Sequence, residues 1–152
     1  MYDTSPKSVV IHVLSSDQVG PYRSWFLENY ENYELDLETA SKLKKLINRK
    51  IKIKVIMGTW CSDSRDNVPG FFKLMDHIKF RKRNIELIGL NVDKKNPNED
   101  ELKYEIINVP TFIFYNNDEE INRIVELTIE SLEKDILKIL DGSGYQNAYY
   151  GF

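Results

Sequence analysis

The residue type in this chain best suited to nucleophilic chemistry is cysteine, and the sequence holds one, Cys61, within Trp60-Cys61-Ser62-Asp63-Ser64-Arg65. A cysteine reacts as the thiolate, and a site between the end of a strand and the first turn of a helix favours that form through unpaired amides and the positive end of the helix dipole. Its neighbours pull in different directions. Ser64 can donate a hydroxyl hydrogen bond to the sulfur, Arg65 brings a positive charge, and Asp63 opposes ionisation by repulsion, so the net sign stays open. One cysteine forms no internal disulfide, and together with the scattered His12 and His77 it makes no zinc site. No metal and no cofactor are expected. The two histidines read as structural or solvated, and neither a phosphate-binding glycine loop nor a nucleophilic serine motif is present.

Cys61 is useful only if the flanking chain holds it. Residues 51–57 are β-branched and apolar, with lysines alternating only at the start, which predicts a strand entering the middle of a sheet. Residues 62–80 predict a helix with Phe71, Phe72, Leu74, Met75 and Ile78 on its apolar face and a kink at Pro69. Strands are predicted at 8–14, 85–92, 111–115 and 121–126. The last two are joined by the turn Asn116-Asn117-Asp118-Glu119 as a hairpin. Further helices are predicted at 22–31, with Tyr22, Trp25, Phe26 and Tyr30 on one face, at 37–49 after an N-cap at Asp36, at 99–107, and at 128–140 before the stop Asp141-Gly142-Ser143-Gly144. From residue 51 the order is β, α, β, α, β, β, α. It implies two parallel strands joined by a helical crossover, then a hairpin covered by a last helix.

The bulk numbers set the frame. A chain of 152 residues fits one ordinary domain that folds around its own core. With 41% hydrophobic and 30% charged residues it falls among globular proteins. A net charge of -3 gives no reason to expect nucleic acid or an anionic membrane as partner. The basic run Lys79, Arg81, Lys82, Arg83 reads as a solvated helix end. No apolar stretch approaches the length of about 20 residues that spans a bilayer. Met1 to Lys7 is polar and carries no signal-like apolar core, so a cytoplasmic protein is expected, although a trimmed secreted form would look the same.

Several of these features at consistent spacing resemble the thioredoxin superfamily. Trp60-Cys61 at the strand-to-helix junction is similar to that family's Trp-Cys-x-x-Cys site, and Pro69 falls where thioredoxins place their helix-kinking proline. Leu90-Asn91-Val92-Asp93 with Asn96-Pro97 is similar to the third strand and following loop, and Asn108-Val109-Pro110-Thr111 to the loop with a cis-proline. The resemblance covers about residues 51–140. It implies an α/β fold of thioredoxin type, a three-layer α/β/α sandwich around a central mixed sheet. Residues 1–36 would be an N-terminal helical extension packed on the domain, 37–140 the domain itself, and 141–152 an aromatic tail. It also implies roles: Cys61 as nucleophile, Trp60 as a wall of the substrate surface, Pro110 as the cis-proline, and Val109 as the residue whose backbone docks a partner.

The departures are as informative. Ser64 stands where the family has its second cysteine, so a mixed disulfide on Cys61 has no internal thiol to resolve it. Val55 stands where thioredoxins keep a buried acid. The Cys-x-x-Ser pattern also occurs in monothiol glutaredoxins and relatives of disulfide isomerase, but Arg65 is the lone basic candidate for holding glutathione. The first reading is therefore monothiol exchange: Cys61 attacks a protein disulfide, or a mixed disulfide with a low-molecular-weight thiol, and an external thiol finishes the cycle. The alternatives are a non-catalytic peptide- or protein-binding module that uses the groove between Trp60 and the Val109-Pro110 loop, and a cysteine that is simply a small hydrophobe. Whether the chain is an enzyme stays open at this point.

Overall fold

The computed structural model describes residues 25–151. The strand expected at 8–14, with His12, and Tyr22 lie outside the described residues. Residues 25–32 are helical (α1), followed by α2 (Leu37–Leu46), β1 (Ile51–Met57), α3 (Ser62–His77), a 3-10 turn (Lys82–Asn84), β2 (Ile85–Gly89), α4 (Asp100–Lys103), β3 (Thr111–Asn116), β4 (Glu119–Val125) and α5 (Leu132–Asp141). The described strands form one mixed sheet in the order β2-β1-β3-β4. β1 runs parallel to β2 and antiparallel to β3. The β3–β4 hairpin turns on Asn117 and Asp118, at φ 56° and 68°, the paired left-handed geometry whose twist matches the strands.

Side chains alternate across β1 and β3, and each set finds its own layer. Ile51, Ile53, Val55 and Met57 of β1, with Phe112 and Phe114 of β3, pack against Leu43 of α2, Phe71, Phe72 and Leu74 of α3, and Leu132 and Ile136 of α5. The rings of Phe71 and Phe112 lie 4.9 Å apart, and each fully buried side chain of this size contributes roughly 1.5–3 kcal/mol. On the opposite face Ile56, Ile88, Leu90, Val109 and Ile113 form a smaller core, covered by Tyr104, Ile106 and Cys61. The result is a three-layer α/β/α sandwich. Lys54, at the wet end of that second face, pairs with Glu86 and lies over the Tyr104 and Tyr115 rings.

Several element ends fall short of the residue patterns, and local caps and turns account for the larger differences. α2 stops at Leu46 rather than 49 because Asn48 turns the chain, its side chain accepting from the Lys50 amide and its carbonyl from the Ile51 amide. α3 stops at His77 rather than 80: Lys79 is left-handed at φ 59° and the Phe80 amide reaches back to the Met75 carbonyl. β2 ends at Gly89 because the Asn91 side chain accepts the Asp93 and Lys95 amides and curls the loop. α4 spans only Asp100–Lys103, bounded by left-handed Glu99 and Glu105. α5 begins at Leu132 with Ser131 as N-cap, since the Asp135 carboxylate accepts the Ile129 and Glu130 amides and holds them outside the helix.

The described part of the N-terminal extension is built into the core. Phe26 is buried against Phe72, and the Tyr30 hydroxyl donates to Asp76, which also pairs with Lys82. Tyr33 crosses α3 at Gly70 and donates to Glu133 of α5 at 2.7 Å. Asp36 caps α2 by accepting the Thr39 amide and hydroxyl, which hold its carboxyl below the ordinary range.

Candidate functional site

β1 ends in the buried run Val55-Ile56-Met57, and Gly58 follows with space for no side chain. A Cβ there would lie 2.5 Å from the Trp60 ring. The ring rests on that glycine, its indole N–H donates to the Leu90 carbonyl at 3.0 Å, and it remains 37% exposed. The Cys61 amide closes the turn on the Gly58 carbonyl at 3.0 Å. Cys61 is then the N-cap of α3, extended at φ -92° and ψ 124°, and the Arg65 amide bonds its carbonyl.

The half-buried sulfur faces the loop before β3. Its thiol donates to the Val109 carbonyl at 3.5 Å, and the Val109–Pro110 peptide is cis. The loop is tied at both ends: the Thr111 hydroxyl donates to the Asn108 carbonyl at 2.6 Å and the Glu126 amide to the Pro110 carbonyl at 2.7 Å. The Val109 amide has no hydrogen-bond partner among the described residues, which leaves a main-chain donor beside the sulfur. Trp60, Cys61, Val109 and Pro110 thus come together. Val55 is fully buried in β1, in the core on the opposite face of the sheet from Val109 and Cys61.

Two neighbours of Cys61 take other tasks. Ser64 was expected to donate to the sulfur; instead it is fully buried and its hydroxyl accepts from the Gly58 amide at 3.2 Å. One turn into the helix, its side chain points back toward the strand end and stabilises the junction. Arg65 makes contacts with the turn before Cys61 and with α1. Its Nε donates to the Thr59 carbonyl at 2.7 Å and its guanidinium lies 5.1 Å from the Trp25 ring centre, so cation–π attraction draws it to α1. Asp63 sits in the first turn of α3, where a carboxylate complements the dipole.

Sequence reasoning missed what surrounds the loop. Asn108 donates to the Tyr149 hydroxyl at 2.7 Å, and Tyr149 donates in turn to Glu126 at 2.8 Å. The Tyr149 hydroxyl is held above its ordinary pKa by that bond to Glu126 first, then by burial, with the Asp63 charge adding to the effect. The tail's aromatic richness was the one visible signal. The described residues hold no group of three or more candidate metal ligands, and no described helix is long and apolar enough to cross a membrane.

A family model described as thioredoxin matches residues 15–133. No curated protein matches the sequence. Among solved structures, a protein of unknown function from Pseudomonas aeruginosa is 20% identical with a TM-score of 0.56, over 92% of this chain and 93% of that one. An HIV epitope scaffold is 19% identical with a TM-score of 0.53, over 92% and 93%. The Fasciola hepatica thioredoxin is 23% identical with a TM-score of 0.44, over 69% and 94%. The first two likenesses speak for a shared fold.

Proposed function

The chain belongs to the thioredoxin family, and from that premise we propose that it carries out thiol–disulfide exchange through Cys61 alone. In the first step the Cys61 thiolate attacks one sulfur of a substrate disulfide. A bond forms between Cys61 and that sulfur, the substrate disulfide breaks, and the second sulfur leaves with the electron pair and takes a proton from solvent. In the second step an external thiolate attacks the mixed disulfide, joins the substrate sulfur and releases Cys61 as thiolate. The substrate class is a protein or peptide disulfide, and the second reactant is a protein thiol or a low-molecular-weight thiol. A reducing, cytoplasmic setting supplies such thiols.

The observation that carries this reading is the placement of Cys61 at the N-cap of α3, half-buried and 3.5 Å from the Val109 carbonyl. Ser64, buried and bonded to Gly58, offers no thiol for an internal second step. In the test, the reduced protein meets a peptide disulfide in the absence of other thiols, followed by intact mass and peptide mapping. A stable adduct on Cys61 that clears only when a thiol is added is expected. No adduct, or one that clears by itself, would falsify the monothiol cycle.

A second reading, a non-catalytic peptide-binding module, draws on the Val109 amide, unpartnered among the described residues, and on the exposed Trp60. An extended peptide could pair with that amide as an added strand does. Here Cys61→Ser would keep the protein's affinity for a linear peptide, whereas exchange predicts that covalent capture disappears.

A further inference from the structure

α5 ends at Asp141 with Gly142 as its C-cap, and Gly142 and Gly144 are both left-handed, at φ 73° and 89°. The chain then turns back and is pinned twice. Tyr145 is buried, its hydroxyl donates to Asp135 at 2.8 Å and its carbonyl accepts from Asn122 at 2.8 Å. Asn147 then closes a turn, accepting the Tyr149 amide on its side chain and the Tyr150 amide on its carbonyl. That turn presents the Tyr149 hydroxyl to Asn108 and Glu126. The other end of the Asn108 amide accepts from Lys94.

We infer that this tail is part of the thiol site, and that Tyr149 is a positioning residue which holds the Asn108–Thr111 loop in the shape that receives an extended peptide disulfide. The inference rests on the exchange reading above. Two ties fix the loop's backbone, the Thr111 hydroxyl at the Asn108 carbonyl and the Glu126 amide at the Pro110 carbonyl. Besides the thiol contact at Val109, the Asn108 side chain anchors the loop, and both partners of that side chain lie outside the loop. Removing the Tyr149 hydroxyl takes the acceptor from Asn108 and the donor from Glu126 at one stroke. Glu126 is also the residue whose amide holds Pro110. A small disulfide needs only the sulfur. A peptide disulfide also needs the Val109 main chain, so it depends on the loop's position.

The experiment compares the 152-residue chain, its Tyr149→Phe variant, and a chain lacking residues 148–152, with circular dichroism as a check on folding. The probes are neutral 4,4′-dithiodipyridine and a linear peptide disulfide. The quantity read is the ratio of the two second-order rate constants. Both variants are expected to lower the peptide-to-small-probe ratio about tenfold, the loss of one positioning hydrogen bond. The change should appear in the half-saturating peptide concentration rather than in the limiting rate. An unchanged ratio, or a parallel fall with both probes, overturns the role of Tyr149 alone. Wild-type protein inert to both probes overturns the exchange reading and this inference with it.

Discussion

The side-chain amide of Asn29 donates to the main-chain carbonyl of Arg65 at 2.9 Å. That carbonyl lies four residues before Pro69, which has no N–H to offer it. α1 therefore completes the hydrogen-bond ladder of α3 at the gap that the proline leaves. Asn29→Ala should cost about 1–2 kcal/mol, read as a lower urea midpoint at unchanged slope. Pro69→Ala restores the helical donor. The double variant should then lose less than the two single losses combined, and strict additivity would show that the two residues are not coupled through this carbonyl.

Gly70 in mid-helix would ordinarily gain stability from alanine, by about 1 kcal/mol. Here a Cβ would stand 2.4 Å from Cδ1 of Tyr33, a ring fixed at its far end by Glu133. Gly70→Ala should lower the thermal midpoint, with a net loss of about 1–3 kcal/mol typical of overpacking. A rise in the midpoint would mean that the ring moves aside freely.

Burial first, and then hydrogen bonds to Glu133 and Asp135, raise the hydroxyls of Tyr33 and Tyr145 above their ordinary value near 10.0. A raised folded pKa means that the unfolded chain loses these protons first. The associated stability is complete below about pH 10 and declines as the pH rises beyond it. Equilibrium unfolding between pH 8 and 11 should show that decline. Tyr145→Phe should start less stable and lose less over the same range. An equal slope in the variant would remove Tyr145 as its source.

Ser64→Cys would set a second thiol in the buried place of a hydroxyl that now accepts from Gly58. If the site runs exchange, this variant should clear a peptide adduct from Cys61 without added thiol and end with an internal disulfide, visible as a loss of two mass units, about 2 Da. An adduct as persistent as in the parent would show that the first turn of α3 keeps the two positions from meeting.

The strands were legible because their patterns answer to burial. Ile51, Ile53, Val55 and Met57 face one core while Lys52 and Lys54 face outward at the wet end. Helix lengths were less legible, since the ends depend on left-handed Lys79, Glu99 and Glu105, residue types with no strong preference for that geometry. At the site, the junction that carries Cys61 and the loop that carries Val109 were readable from residue order. The directions of Ser64 and Arg65 were not, because three-dimensional neighbours decide them: the Gly58 amide for one, Trp25 for the other. Tyr149 and Asn108 are 41 residues apart, and no local pattern announces such a contact.

The position of β1 bears on how the protein comes apart. It is bonded along both edges, to β2 and β3, and Val55, Ile56 and Met57 are closed to solvent on both faces. Amides in such a strand exchange with deuterium only through the largest openings, whereas tails and loops open at far lower cost. Hydrogen exchange should therefore find the slowest amides of the chain just upstream of Cys61. Its sulfur follows four residues after the last segment to unravel, and fraying elsewhere in the chain leaves that strand in place.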